Sequence, residues 1–281
     1  MPLHGRLELY PVPKEASRAD YGGSYYEEPE WWRKPRRISH AHEIKDMLKE
    51  MLFITKLFAN QRRLWWLSYA FHLGIYCLAA WSVLLLAGAA GNLAGGWIDS
   101  GALAGSQHID SGAWPVMLFV YLTSITGIVG LVLVTVGVGG LLLRRFFDRT
   151  LRRYTTPQEY FNLGLILAVV GTALFAWRGD WAFVQPRHIA GQLLTLQPLQ
   201  LEPLATVHVL LLGMMFVYIP LSKMSHYVGK YFAFHKVLWE NEPNLPGSKV
   251  EQEVRQAVAY RPTTVWAAPH VQANPAPTRE S

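Results

Sequence analysis

The chain has 281 residues, of which 51% are hydrophobic and only 16% are charged, and its formal net charge is +6. A single cysteine, Cys77, excludes a disulfide framework, a thiolate zinc site and a cysteine-ligated iron–sulfur cluster within the chain. The positive charge could indicate nucleic-acid binding, but the topology of a membrane protein explains it better. Composition therefore predicts a chain that lies mostly in a membrane.

Ahead of the first apolar run, the chain divides into a tail and a helix. Residues 1 to about 42 are polar and rich in Pro, Gly and Tyr, and they lack the pattern of a cleaved secretory signal. From His42 to Asn60, apolar residues recur at helical spacing between charged ones, which predicts an amphipathic helix. A helix that lies on the bilayer surface and a helix that packs against a partner protein are both compatible with this pattern.

Four apolar segments are long enough to cross a bilayer as helices. Arg62 and Arg63, followed by two tryptophans, mark the boundary before the first of them. Because backbone polar groups in lipid must bond within the chain, we predict an all-α integral membrane protein with a four-helix bundle. The predicted spans lie at about residues 64–88, 114–143, 161–177 and 203–235. The predicted domains are a cytoplasmic tail with its amphipathic helix (1–59), the membrane domain (60–236) and a cytoplasmic C-terminal tail (237–281).

Lysine and arginine residues concentrate beside one set of span ends. Of the 26 in the chain, twelve occur up to Arg63, five lie between the second and third spans, and seven occur from Lys223 onward. The other two loops hold only two. The positive-inside rule then predicts that both termini are cytoplasmic and that the chain is a multi-pass protein of the inner (cytoplasmic) membrane.

Three histidines lie inside the predicted spans. His208 and His226 are 18 residues apart, which is five helical turns and about 27 Å along a continuous helix. They would share one face and lie in opposite leaflets. His72, on the first span, would lie in the same leaflet as His226. Because histidine is a common axial ligand of haem iron, we predict that these two hold one haem b. The alternative is that each is a buried histidine bonded to a backbone carbonyl.

The residues around these histidines resemble those of one family, the gamma subunit of respiratory nitrate reductase. This family includes the cytochrome b subunits of heterodisulfide-reductase-type and dissimilatory-sulfite-reduction-associated membrane complexes. The resemblance rests on the FHLG motif at Phe71–Gly74 and on the 18-residue spacing from His208 to His226. It also rests on the Gly213–Met214 pair and on the Pro-x-Ser-Lys run at Pro220–Lys223. It covers about residues 64–235 and does not extend to the tails.

The resemblance implies that His72 and His226 ligate a haem b on the cytoplasmic side. It also implies a quinone or menaquinone site beside an outer haem, and an iron–sulfur or heterodisulfide-reductase-like subunit docked on the cytoplasmic face. The family has a further histidine ten residues after the first, as partner of the one that matches His208, and here that position is Ser82. A second haem at His208 would therefore take its other ligand from an outer loop, as His108 or His188, or would have a single histidine ligand. The remaining alternative is that the chain has no second haem.

The expected function follows from these features. The chain would be a membrane cytochrome b subunit that carries electrons between the quinone pool and a cytoplasmic iron–sulfur subunit, and it would not be catalytic alone. Its partners would be that subunit, quinone and membrane lipid, with no nucleic acid. A haem-free membrane anchor, with or without a quinone site, is the alternative. A transporter is disfavoured, because the sequence shows no convincing internal repeat.

Overall fold

The computed structural model describes residues 39–95, 114–238 and 246–259. In these ranges the chain is 87% helical and has no strand, so the predicted all-α class is confirmed. The helices of the described ranges are α1 (His40–Phe53), α2 (Thr55–Asn60), α3 (Arg62–Gly95), α4 (Trp114–Phe147), α5 (Arg149–Tyr154), α6 (Pro157–Ala176), α7 (Val184–Leu194), α8 (Pro203–Leu221), α9 (His226–Leu238) and α10 (Lys249–Ala259).

The chain divides into two compact units. The first contains the region Ile44–Phe232 and with it the four longest helices, whereas α10 belongs to the second. In α10 the guanidinium of Arg255 forms an ion pair with Glu251 one turn earlier, at 2.7 Å. The predicted domain boundaries after residues 59 and 236 stay a prediction.

Four helices in the described ranges are long and apolar enough to cross a membrane, and these ranges therefore indicate a multi-pass membrane protein. They are Arg62–Ala94, Trp114–Phe147, Pro157–Ala176 and Pro203–Leu221. Their outer faces carry large apolar side chains. On α4, for example, Ile125, Val132 and Val136 are each more than half exposed. A continuous apolar surface of this kind is unfavourable in water and suits contact with lipid.

The long helices pack in chain order, with α3 against α4, α4 against α6 and α6 against α8, while α7 packs against α3. The buried residues of the hydrophobic core between them are all aliphatic and lie on α4 and α6. The buried residues of this core are Val134, Val138, Leu141, Leu163, Ile166 and Val170. Small residues let α3 and α4 approach closely. A Cβ atom added to Gly74 would lie 2.6 Å from the backbone nitrogen of Val134.

Local sequence signals explain where several helices begin. Asp148 caps α5, because its Oδ1 accepts hydrogen bonds from the backbone N–H groups of Thr150 (2.9 Å) and Leu151 (3.2 Å). At the start of α6, the carboxylate of Glu159 accepts a hydrogen bond of 2.7 Å from the backbone N–H of Thr156. Proline occupies the first turn of both α6 and α8, where its missing N–H has no cost.

Two helices that we predicted to be continuous are interrupted. The amphipathic segment breaks at Ile54, whose left-handed backbone (φ 51°) separates α1 from α2. The fourth span ends at Leu221, one residue after Pro220, and Ser222 is extended (φ −125°, ψ 175°) before a 3-10 turn leads into α9. The expectation that His208 and His226 share one face of a continuous helix is therefore wrong. The loop predicted between the third and fourth spans also contains a helix, α7.

Candidate functional site

The structure brings together two of the predicted ligands. His72 lies on α3 and His226 is the first residue of α9, and the centroids of their imidazole rings are 6.2 Å apart. The two ring planes are nearly perpendicular, at 81°. His72 is half-buried, whereas His226 is exposed. The two rings are in contact although the helix is interrupted at Ser222, before His226.

Each imidazole has its Nδ1 atom close to a carbonyl of the preceding helical turn. Nδ1 of His72 lies 2.6 Å from the carbonyl oxygen of Ser68, and Nδ1 of His226 lies 3.2 Å from that of Lys223. A carbonyl oxygen only accepts hydrogen bonds, so Nδ1 must be the donor in both rings. In a neutral imidazole Nε2 then carries the free lone pair. Both side chains are therefore in the tautomer that offers Nε2 to a metal.

The separation of the two rings fits one metal ion between them. Two imidazoles on opposite sides of one ion have centroids roughly 6.4 Å apart when each metal–nitrogen bond is about 2.0–2.1 Å, as it is for zinc. In the described ranges no group of three or more His, Cys, Asp or Glu residues is arranged to hold a metal ion. A donor set of two histidines suits haem iron, because the porphyrin supplies the other ligands. His72 and His226 thus fit the predicted cofactor.

His208 is buried on α8 and has polar partners of its own. Its Nδ1 lies 3.0 Å from the carbonyl oxygen of Val169 and 3.1 Å from Oγ1 of Thr172, both on α6. The indole of Trp177 packs against its ring edge to face, with centroids 4.7 Å apart. Only 5% of His208 is exposed. This geometry matches a buried histidine bonded to a backbone carbonyl, and it also leaves Nε2 free for a ligand.

None of the predicted partners of His208 is shown in contact with it. His188 is exposed on α7, and in the described ranges no ring contact or hydrogen bond joins it to His208. Ser82, which stands where the family has a histidine, donates its hydroxyl to the carbonyl of Leu78 at 2.9 Å. His108 lies outside the described residues. The source of a second ligand at this position stays a prediction.

A buried arginine on α7 was not predicted from the sequence as part of a site. Arg187 on α7 is only 4% exposed, and its Nε has no hydrogen-bond partner. The carbonyl of Ala182 accepts a hydrogen bond of 3.4 Å from its guanidinium. The indole nitrogens of Trp81 and Trp177 are also buried without partners, as is the side-chain oxygen of Gln192. One feature of the sequence could have indicated the importance of Arg187. It is one of only two lysine or arginine residues in the two loops predicted to be outside.

Three of these unpartnered groups, on Trp81, Trp177 and Arg187, belong to residues that are linked by a series of contacts. The ring of Trp81 on α3 contacts that of Phe183 at 5.1 Å, and the carbonyl of Phe183 accepts the backbone N–H of Arg187. Two successive turns then join Phe183 to Asp180 and Asp180 to Trp177, with N–H to O distances of 3.1 and 3.0 Å. Trp177 in turn contacts His208, so α3, α6, α7 and α8 all contribute to this region.

The charge of Arg187 is poorly compensated. Asp180 uses both carboxylate oxygens to cap α7, accepting from the N–H groups of Val184 (3.0 Å) and Gln185 (2.9 Å). No carboxylate in the described ranges forms an ion pair with Arg187. Burial lowers the pKa of the guanidinium from its ordinary value, and the nearby charge of Asp180 opposes this change. A ligand that accepts a hydrogen bond would satisfy the unpartnered Nε–H of Arg187.

In comparisons with known proteins, no family model matches this chain, and no curated protein or solved structure matches it. The resemblance stated above rests on the motifs around His72, His208 and His226. What the described ranges define is an all-helical protein with four apolar helices that are long enough to span a membrane. They also contain a close histidine pair and a separate buried region around Arg187 and His208.

Proposed function

We propose that this chain is the membrane cytochrome b subunit of a respiratory complex. It transfers electrons between the quinone pool and a cytoplasmic iron–sulfur redox subunit, through haem b held by His72 and His226. The observation that carries the proposal is the geometry of this pair. The rings are 6.2 Å apart, and both Nδ1 atoms are committed to backbone carbonyls.

In this proposal His72 and His226 would hold the haem through Nε2. The carbonyls of Ser68 and Lys223 hold the rings in orientation and increase the basicity of the ligating nitrogens. Haem, when bound, supplies a reversible one-electron couple whose potential depends on axial ligands and burial.

The proposed orientation places both termini and the histidine pair on the cytoplasmic side of the inner membrane. It is supported by the basic residues at the helix ends on that side, among them Arg62 at the start of α3 and Arg144 near the end of α4. Lys223 and Lys230 flank His226. An electron carrier in the cytoplasm would therefore reach the proposed haem without crossing the bilayer.

At the opposite end, the region around Arg187 and His208 is the proposed site of quinone or menaquinone. A quinone carries two carbonyl oxygens, which accept hydrogen bonds, and the region has unpartnered N–H groups on Arg187, Trp81 and Trp177. His208 can contribute Nε2 either to such a ligand or to a second haem. The redox centre and the quinone site would then lie at opposite ends of the membrane helices.

The cytoplasmic docking surface for the iron–sulfur subunit is proposed to combine α1 and the basic segment Arg144–Arg153, and the tail after Lys236 is proposed as a separate contact of its own with that subunit. On α1 the side chains of Ile44, Leu48 and Leu52 are between 44% and 51% exposed, which leaves an apolar strip available to a partner. The part of the tail outside the described residues is polar and proline-rich, and its composition favours ordering by a partner over an independent core.

The test is a reduced-minus-oxidised absorption spectrum of the full chain, purified in detergent from cells supplied with a haem precursor. The proposal expects the bands of a low-spin b-type haem, reducible by a menaquinol analogue. Protein that is folded and lacks haem under these conditions would contradict it and would favour the haem-free anchor. A haem that only dithionite reduces would retain the cytochrome and remove the quinone step.

A further inference from the structure

The end of α1 is attached to both helices that carry the histidine pair. The hydroxyl of Tyr76 donates a hydrogen bond of 2.7 Å to the carbonyl of Met51, and Nζ of Lys230 donates one of 3.1 Å to Oε1 of Glu50. Tyr76 lies four residues after His72, and Lys230 lies four residues after His226. Four residues are about one helical turn, so each histidine and its anchor occupy the same side of their helix.

Glu50 is the centre of this arrangement. The residue is only 5% exposed, and its carboxylate accepts hydrogen bonds from the hydroxyl of Thr55 and from the backbone N–H of Lys56 at 3.1 Å, in addition to Lys230. These donors come from α2 and α9. A buried carboxylate with several donors resists displacement, because any displaced position would leave a buried charge unsatisfied.

The same contacts hold an unusual backbone. Ile54, between α1 and α2, has φ 51°, a left-handed conformation that is strained for a β-branched residue. Glu50 spans this kink, since it precedes Ile54 and binds Thr55 and Lys56 beyond it. A further hydrogen bond, from Nε1 of Trp65 to the carbonyl of Phe53 at 2.8 Å, attaches the kink to the first turns of α3.

The orientation of α9 needs such an external support. Ser222 is extended, and the residues between it and His226 form only one 3-10 turn, so regular helix geometry does not pass from α8 into α9. Within α9, the contact of Lys230 with Glu50 is an ion pair to a different helix. On α3, the turn that follows His72 is bonded through Tyr76 to Met51, the residue after Glu50 in α1.

We propose that Glu50 is a positioning residue for the histidine pair, which acts through Lys230 to set the rotation and depth of the first turn of α9. The Glu50–Lys230 ion pair and the Tyr76–Met51 hydrogen bond together make the end of α1 a brace, which sets the separation of His72 and His226. The brace concerns contacts within the chain, and the inference depends on the proposed function only for its haem-based readout.

The experiment compares Lys230→Met, which breaks the ion pair, with Lys230→Arg, which preserves it. Glu50→Gln removes the charge of Glu50 and keeps its size. The matched control is Lys49→Met, which removes a charge from an exposed neighbour of Glu50 on α1. The first readout is hydrogen exchange of backbone amides at residues 226–232 in haem-free protein. The second readout is the highest g value of the ferric haem in the electron paramagnetic resonance spectrum. This value depends on the relative orientation of the two imidazoles.

The brace predicts faster exchange and a shifted or broadened haem signal in both Lys230→Met and Glu50→Gln, with wild-type behaviour in Lys230→Arg and Lys49→Met. Tyr76→Phe, a milder change that leaves the ion pair intact, should alter both readouts in the same direction by less. If Lys230→Met fails to fold, Tyr76→Phe still tests the brace.

Wild-type exchange and an unchanged haem signal in Lys230→Met and Glu50→Gln would overturn the inference. The inference would also be overturned if Lys230→Met and Glu50→Gln shifted the midpoint potential of the haem in opposite directions while hydrogen exchange and the g value stayed unchanged. Lys230 and Glu50 would then act on the haem only through their charges. A wild-type protein without haem would contradict the proposed function instead. The exchange measurement would still decide whether the brace exists.

Discussion

Gly137 on α4 lies against the backbone of Phe71 on α3, so closely that a Cβ atom on Gly137 would be 2.5 Å from the backbone nitrogen of Phe71. Phe71 directly precedes His72, and this contact therefore sets how near the histidine-bearing turn lies to α4. Close helix contacts through glycine are a common way of packing helices in lipid, where burial of apolar surface gives no net gain.

Gly137→Ala should therefore destabilise the packing of α3 on α4, by about 1–3 kcal/mol, because the added methyl group meets backbone atoms that cannot move independently. The measurement is resistance to thermal or SDS unfolding in detergent. Gly139→Ala is the matched control, since a Cβ there has no neighbour within 4 Å. Equal stability of the two variants would show that the α3–α4 contact is looser than described.

The second prediction concerns the histidine pair, His72 and His226. His72→Ala and His226→Ala should each remove one haem per chain, because a single remaining axial histidine does not hold a low-spin bis-histidine haem. Haem content is measured by pyridine haemochrome against protein concentration. His40→Ala, at an exposed position on α1, is the control. Full haem content in both His72→Ala and His226→Ala would reject them as ligands.

The third prediction concerns His208. If its Nε2 binds a second haem, wild-type protein holds two haems, and one is lost in His208→Ala and in either His188→Ala or His108→Ala. If His208 serves the quinone site instead, haem content stays at one in all these variants and only quinol oxidation falls. Thr172→Val is the control, because it removes a partner of Nδ1 and leaves Nε2 untouched.

The fourth prediction concerns Arg187. Arg187→Gln should raise the KM for a quinol by about tenfold or more, since a hydrogen bond to a charged group is worth about 1.5–3 kcal/mol and 1.4 kcal/mol is tenfold. Haem content should not change. Arg178→Gln is the control, because Arg178 is exposed and lies in the same connection between α6 and α8. Identical steady-state kinetics in the two variants would place the quinone elsewhere.

The fifth prediction is a pH dependence of stability at Glu50. Burial alone would raise the pKa of this carboxyl, but the hydrogen bond from Thr55 and the charge of Lys230 outweigh it and bring the pKa below the ordinary value of 4.5. A lowered pKa in the folded state stabilises the protein at pH above 4.5, and this contribution is lost as the pH falls below 4.5 through the folded pKa.

The measurement is the melting temperature of wild type and Glu50→Gln from neutral pH down to the acid range. Wild type should lose more stability on acidification, so that the two curves converge below pH 4.5. Parallel curves would mean that Glu50 titrates normally in the folded protein. Lys49→Gln serves as a control for the loss of a surface charge from α1.

Much of the helical framework was predictable from local sequence. An apolar run long enough to span a bilayer is a signal carried by neighbouring residues. Each of the four predicted spans contains a long helix, although the fourth ends at Leu221 and does not continue to residue 235. The pairing of His72 with His226 was also expected, because charge counts assign a direction to each span and thereby a depth to each histidine. The resemblance at Phe71–Gly74 points to the same pair.

The sequence alone determined which segments are apolar helices and that His72 and His208 lie within them, because both depend on residues close together in the chain. His226, in contrast, lies beyond the end of the fourth apolar helix at Leu221. The tertiary structure decided what depends on distant contacts. The left-handed turn at Ile54 and the break at Ser222 interrupt segments whose periodicity favours helix, and the side chain of Glu50 reaches across the first of these to Lys230. From the sequence, Arg187 belongs to a predicted loop. In the structure it lies on α7, which packs on α3, and it is buried. Such burial has no periodic signal, because it arises from where other helices happen to lie.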